Sequence, residues 1–443
     1  MKVGIEAAHF FIPDLYLEIK DLAIERGIDS LKLEKGLGLN KMAVLNSNED
    51  TATLAANALF RLIENYAINP NDIAKIYLGT ESALDAAKPT CTYAVQMVEE
   101  QLVTKYGVHC FRNCDVLDMT FACIGGIDAL QNALDFVQVH PNRKAIVIAA
   151  DYAKYELGSS GEYTQGAGAV ALLISSSPNL IEIESTFGIA TESVFDFFKP
   201  RRYFEKSILK NAPENYPDTL EIFTDEPIFD GQYSNECFKE RIKEAYYHFK
   251  SGIGTTENML DEWQHLIFHL PYAFHGKRIL TELFALEKDI NIEPNEALKQ
   301  LASSDLYQEF VKEKIETSQK ASSEIGNMYT ASIFMALLST FQTAFDEGKA
   351  ITENKVGFFA YGSGSKAKVF EGKINKNWQS VVAKWHLFQS LANRTPIDFK
   401  TYLQLHKKQI TSVIHQKPNQ FVLDSIEKEN PNLKGARYYT YIR

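Results

Sequence analysis

Apolar and polar residues along this chain fall into two repeating patterns. Short, almost wholly apolar runs at 75–79 (KIYLG), 144–150 (KAIVIAA), 168–175 (GAVALLIS), 265–269 (HLIFH) and 356–361 (VGFFAY) predict strands buried on both faces. Between them apolar residues recur at helical spacing. Ile127, Leu130, Leu134 and Val137 stand at i, i+3, i+7 and i+10, and Ile333, Leu337 and Phe341 at i, i+4 and i+8. Strands alternating with amphipathic helices predict an α/β architecture in which helices cover the sheets. The alternation lapses near 187–263, where Pro200, Pro213, Pro217 and Pro227 interrupt it; this stretch reads as an insertion of loops and helices. The aromatic, alternating ARYYTYIR at 436–443 reads as a closing strand.

Composition narrows the class. With 443 residues, 45% hydrophobic and 23% charged, the chain can fill two or more cores and still keep a solvated surface. No apolar run approaches the 18 or so residues of a membrane span. The opening MKVGIEAAHFFIP has Glu6 and His9 where an export signal needs an unbroken apolar stretch, so the cytoplasm is the expected location. Lys plus Arg is 46 against 57 Asp plus Glu, a net charge of −11. That balance lacks the basic footprint of a nucleic-acid binder, and an anionic small molecule would need a local basic pocket. Five scattered cysteines (Cys91, Cys110, Cys114, Cys123, Cys237) do not make a disulfide framework, and no second pair accompanies Cys110 and Cys114 at zinc-site spacing. Reduced thiols and no metal are expected.

One thiol stands apart. Cys123 lies between the strand-like CDVLDMTF and the helix that begins near Gly125. Backbone N–H groups at a helix N-terminus favour an anion, so a thiol there should ionise more easily and act as a nucleophile. Gly125 and Gly126 would leave room for a substrate to reach the sulfur. The plain alternative is one more buried, inert cysteine. Glu81 follows the strand KIYLGT and His269 ends the strand HLIF, and ligands of α/β sheets gather at the carboxyl ends of strands. Singly, Glu81 reads as a cap for a helix near Ser82, and His269 as a core histidine. Together with Cys123 they make a Cys, Glu and His set at three strand ends. Asn327 reads as a helix cap in GNMYTASIF. The glycine-rich turn at 361–365 (YGSGS) can bring backbone N–H groups against a substrate oxygen.

Five blocks in order and spacing, GTESALDAAK, TFACIGG, FHLPY, GNMYTAS and YGSGS, resemble the 3-hydroxy-3-methylglutaryl-CoA synthase family of the thiolase superfamily, in its bacterial mevalonate-pathway type. The likeness extends through GIDSLKLEKGLGLNKMAV, YTQGAGAVALLI, DFFKP, DGQYS and GARYYTYI. It implies a thiolase-like five-layered αβαβα fold of two similar halves, 1–176 with Glu81 and Cys123, and 177–443 with His269, Asn327 and the glycine turn, the insertion lying in the second. By matching motifs, it implies that Glu81 is the general acid/base, Cys123 the acetyl-accepting cysteine and His269 the histidine that polarises the ketone. Asp29, Ser30, Tyr155, Thr164, Ser234, Arg278, Asn327, Gly362 and Ser363 fall on substrate contacts. Phe274 departs from the family, which often has a lysine there. Arg278 keeps a cation nearby, and Arg201 and Arg202 read as a solvated pair.

The resemblance further implies that acetyl-CoA acylates Cys123 and that Glu81 deprotonates the acetyl methyl. The carbanion then attacks acetoacetyl-CoA, and water releases 3-hydroxy-3-methylglutaryl-CoA. Coenzyme A thioesters are substrates, and no cofactor is expected. A polyketide β-branching synthase would use the same triad on a ketone held by a carrier protein. A decarboxylating ketoacyl synthase would lack Glu81, and a non-catalytic scaffold would lack one of the three. Pairing of first halves is expected to give a homodimer.

Overall fold

In the computed structural model, which describes residues 2–293 and 295–443, each apolar run named above forms a strand. The first half of the frame holds β1 (Gly4–Phe11), α1 (Thr51–Tyr66), β2 (Ile73–Gly79), α2 (Thr90–Tyr106), β3 (Asp115–Met119), α3 (Gly125–Val139), β4 (Lys144–Ala153) and β5 (Gly166–Ser175), and the second opens with β6 (Ile181–Thr191). The second half adds α4 (Gly231–Ile253), β7 (His265–Phe268), α5 (His275–Glu287), α6 (Ser332–Asp346), β8 (Lys355–Gly362) and β9 (Lys366–Ile374). The chain closes with a hairpin of β10 (Gln420–Ile426) and β11 (Arg437–Ile442), so the ARYYTYIR expectation holds.

Nine strands join in the order β7-β8-β9-β6-β1-β5-β4-β2-β3. β2 runs parallel to both β3 and β4, and β7 runs parallel to β8; the other pairs are antiparallel. The two halves meet where β1 pairs with β6 through Gly4 opposite Glu182 and Ile5 opposite Ile181. Side chains of β4 show why its run is apolar throughout. Ala145, Val147 and Ala149 face one core, and Ile146, Ile148 and Ala150 the other. On the outer side α1 packs against β1, β5 and β4, with α2 beside it. On the inner side α3 packs against β4 and β2, and α6 against β7. Beyond the second half's strands, α4 covers β6 and β9, with α5 against it. Helices therefore lie outside and between the two halves of the sheet. α6 is buried all round from Ser332 to Ala344, as a helix in the middle of a layered fold must be.

The stretch near 187–263, expected as an insertion, is one only in its middle. β6 lies in the sheet and α4 packs on it, while residues 192–230 leave the frame. This excursion is held by two short ladders, Arg202–Glu205 with Thr219–Ile222 and Phe197–Phe198 with Ile228–Phe229. Among the described residues, no helix is long and apolar enough to cross a membrane.

Candidate active site

Cys123 stands at the turn between β3 and α3. The residue before it, Ala122, has φ +41°, a left-handed conformation that costs energy for a residue with a Cβ and persists where the surroundings enforce it. The enforcement is close packing. A Cβ on Gly126 would lie 2.9 Å from the Thr330 carbonyl oxygen, and one on Gly362 would lie 2.7 Å from that of Phe121. Gly126 thus lets α3 close onto the turn before α6, rather than opening a path for substrate as its sequence context suggested.

The expected easy ionisation of Cys123 is also corrected. Burial first, then the Glu81 carboxylate beside it, pushes the thiol well above its ordinary range. A helix N-terminus contributes about 1 kcal/mol, less than a tenfold change in the ionisation constant, and is outweighed. Cys123 therefore rests as a neutral thiol and donates to Glu81 Oε1 at 3.1 Å.

Glu81 does not cap a helix, since the next one starts only at Thr90. Its backbone N–H donates to Asp151 Oδ1 at 2.9 Å. Asp151, fully buried at the end of β4, also accepts from the Thr80 hydroxyl and from the Thr330 backbone and hydroxyl. This one carboxylate ties the end of β2 to the turn before α6. The Glu81 side chain is 6% exposed, and Lys199 Nζ lies 3.5 Å from its Oε2. Burial raises the pKa of Glu81 above the ordinary carboxylate range, with Lys199 opposing.

His269 follows β7, its backbone N–H donating to Phe359 O at 3.0 Å. Nδ1 lies 2.6 Å from Ser332 Oγ, which accepts the Leu270 N–H at 3.1 Å. When the Ser332 hydroxyl donates to Nδ1, the ring proton sits on Nε2. Burial holds the imidazole neutral, its pKa pushed down to about 3.

Cys123 and His269 meet at one cavity of about 410 Å³, also lined by Tyr155, Thr164, Ser234, Arg278, Asn327 and Ser363 among others; Glu81 is not among its lining residues and is joined to it through the Cys123 sulfur. Six of the nine expected contacts therefore share its wall. Asp29, Ser30 and Gly362 do not line it. Asp29 caps the helix Ser30–Leu37, whose last residue does reach the cavity, and Gly362 backs onto the Cys123 turn. Asn327 does not cap a helix as its sequence position suggests, since Met328 precedes the short turn Tyr329–Ala331 and Ala331 precedes α6; its Oδ1 instead accepts the Tyr329 N–H two residues on, at 2.8 Å. The glycine turn gives less than expected. Gly364 N–H is taken by Asp196 Oδ1, and Ser365 N–H points to Glu192 O. Asp196 also accepts from Ser234 and Tyr361, fixing that wall. Phe274 packs its ring on Gly38, with Lys277 stacked against it, and Arg278 donates to Gly36 O at 2.5 Å. Arg201 and Arg202 pair with Glu221 and Glu156. Lys199, Asp151, Asp196 and Ser332 are missed by sequence reasoning, although Lys199 and Asp196 lie in the DFFKP block, Ser332 ends GNMYTAS and Asp151 directly follows the strand-like run KAIVIAA.

Comparison with known proteins decides the family. Two family models match, hydroxymethylglutaryl-coenzyme A synthase N terminal over residues 1–179 and C terminal over 277–432. The chain belongs to the hydroxymethylglutaryl-CoA synthase family. It is 31% identical to the hydroxymethylglutaryl-CoA synthase of Haloferax volcanii, over 91% of each chain. To that of Enterococcus faecalis it is 29% identical, over 99% of this chain and all of the relative. A solved structure of MvaS in complex with 3-hydroxy-3-methylglutaryl coenzyme A superposes with a TM-score of 0.84 at 27% identity, covering 100% of this chain and 99% of the other. The thiolase-like α/β fold expected of a hydroxymethylglutaryl-CoA synthase is the fold observed.

Proposed function

We infer that this chain condenses acetyl-CoA with acetoacetyl-CoA and water to give 3-hydroxy-3-methylglutaryl-CoA and CoA, with the acetyl group carried on Cys123. The observation that carries this reading is the 3.1 Å contact of Cys123 with Glu81, with Cys123 and His269 lining the same cavity, in a chain of this family.

Cys123 Sγ attacks the acetyl carbonyl as its proton passes to Glu81 Oε1, and the CoA thiol leaves with a proton. Glu81, again a carboxylate, takes a proton from the acetyl methyl. The resulting carbon nucleophile adds to the ketone carbon of acetoacetyl-CoA. His269 Nε2–H donates to the ketone oxygen as negative charge grows there, a role that suits a neutral imidazole. A proton returns to the new alkoxide, and water cleaves the Cys123 thioester. No oxidation state changes between substrates and products, so the balance requires no redox carrier. Tyr155, Thr164, Ser234, Asn327 and Ser363 contact the acyl portions, and Arg278 stands where the CoA moiety enters.

The reaction belongs to the mevalonate pathway, and five free cysteines suit the reducing cytoplasm. The working unit is a homodimer joined through the first half, because β3 ends the sheet with an unpaired edge and Leu117 on it is 44% exposed. The test starts with acetyl-CoA alone. Intact mass should gain one acetyl group on the natural protein and none on Cys123→Ser, and adding acetoacetyl-CoA should then yield the product. An acetyl label that persists in Cys123→Ser would remove that residue, and product formed only from carrier-protein thioesters would move the chain to β-branching chemistry.

A further inference from the structure

Against two aromatic residues of the cavity wall, Tyr329 and Phe197, stands a cation that the condensation steps leave unused. Lys199 arrives on the excursion, directly after the Phe197–Phe198 ladder, and reaches inward past two aromatic faces. Its Nζ lies 4.6 Å from the centre of the Tyr329 ring and 5.9 Å from that of Phe197. From there it makes two contacts with one residue, 3.5 Å to Glu81 Oε2 and 3.4 Å to the Glu81 carbonyl oxygen. The ammonium and its target carboxylate are both largely shielded, with side chains 17% and 6% exposed.

The two oxygens of Glu81 are thereby divided. Oε1 faces the Cys123 sulfur and Oε2 faces Lys199. A carboxylate held on one oxygen cannot rotate freely, and the other oxygen stays aimed at whatever is bound to sulfur. We propose that Lys199 is a positioning residue of the condensation: its ammonium grips Glu81 Oε2 and keeps the Oε1 side ionised and directed at the acetyl group on Cys123. This rests on the reading of Glu81 as the base.

The groups that face Glu81 set the sign of the effect. Cys123 approaches from the turn before α3, Asp151 from the end of β4, Tyr155 from beyond β4, Tyr329 from the turn before α6, and Lys199 from the excursion. Burial and Asp151 favour the protonated acid; Lys199 and the Cys123 hydrogen bond favour the carboxylate. Among the described residues Lys199 is the cation paired with Glu81. Without it Glu81 gains its proton at higher pH, so less of the base form is present near neutrality.

Lys199→Met keeps the stem between Tyr329 and Phe197 and removes only the charge. Three readouts separate positioning from a merely structural role: acetylation of Cys123 by intact mass, deuterium exchange into the enzyme-bound acetyl methyl, and the pH profile of condensation. The expected result is acetylation within a few-fold of the natural protein, methyl exchange and condensation slowed about tenfold or more at pH 7, and an acid limb displaced upward by about 1–3 pH units. Lys199→Arg should restore the limb to within a fraction of a pH unit. An acid limb that coincides in Lys199→Met and the natural protein would overturn the proposal. So would an equal loss of acetylation and condensation, or a Lys199→Arg variant no better than Lys199→Met. Glu81→Ala, measured in parallel, keeps the two readings apart: if it still condensed, the base assignment would fail irrespective of Lys199.

Discussion

In the proposed reaction Glu81 removes a proton from a methyl group of very low acidity, and its surroundings raise its basicity. Burial and the neighbouring Asp151 push its pKa upward, so the rate should fall at a higher pH than an ordinary carboxylate would give. The same carboxylate pushes the Cys123 thiol up. In Glu81→Ala the acceptor for the thiol proton is lost, but so is the anion that opposes thiolate formation. Acetylation of Cys123 should therefore survive, while condensation drops by about 10²–10⁴-fold. Intact mass and product formation, followed on one sample, read both; near-normal condensation would exclude Glu81 as the base. Cys123, Glu81 and His269 are legible in the sequence because each ends or follows an apolar strand. Of their partners, Lys199 and Ser332 are not. Lys199 sits in the proline-interrupted stretch that reads as an insertion of loops and helices, and Ser332 reads as helix. Asp151 ends the run KAIVIAAD, so the strand-end rule that flags Glu81 applies to it equally. What the rule cannot supply is that Thr330, 179 residues away, turns toward it.

At the level of elements, the geometry of the site depends on how closely α3 approaches its neighbours. Helix propensity would favour alanine over glycine at 126 by about 1 kcal/mol. A methyl there would stand 2.9 Å from the Thr330 carbonyl oxygen and 3.0 Å from the Phe334 ring, and overpacking of a dense core costs about 1–3 kcal/mol. The clash should win because one contact is backbone that also presents its N–H to Asp151. Gly126→Ala is expected to lower the denaturation midpoint and slow acetylation, since the displaced helix carries the Cys123 turn with it. An unchanged midpoint in chemical denaturation would show that the turn before α6 can yield. The strands and the two central helices are readable because their periodicity is strong. The excursion at 192–230 merges with its flanks in sequence because β6 and α4, which belong to the frame, lie against a proline-rich stretch. Pro200, Pro213, Pro217 and Pro227 all fall within 192–230, and that part alone keeps the character they predict.

The whole molecule is organised around a sheet with one open end. Among the described residues β3 has a neighbour on one side only, and pairing it with its counterpart about a two-fold axis would continue the sheet through both subunits. Light scattering at micromolar protein should give about twice the chain mass of 50.0 kDa; a value near 50.0 kDa would mean that the edge is capped in some other way. The order in which the chain is made adds a consequence of the Asp151 junction. Cys123, Glu81 and Asp151 leave the ribosome early. Thr330, which bonds both Asp151 and the Gly79 carbonyl 251 residues upstream, is made in the last third of synthesis. Until then the buried acid lacks its Thr330 bonds, α3 lacks the Thr330 and Phe334 contacts at Gly126, and Cys123 has no finished pocket. A growing chain thus carries its proposed nucleophile unassembled, and synthesis of the turn before α6 is the event that completes the site.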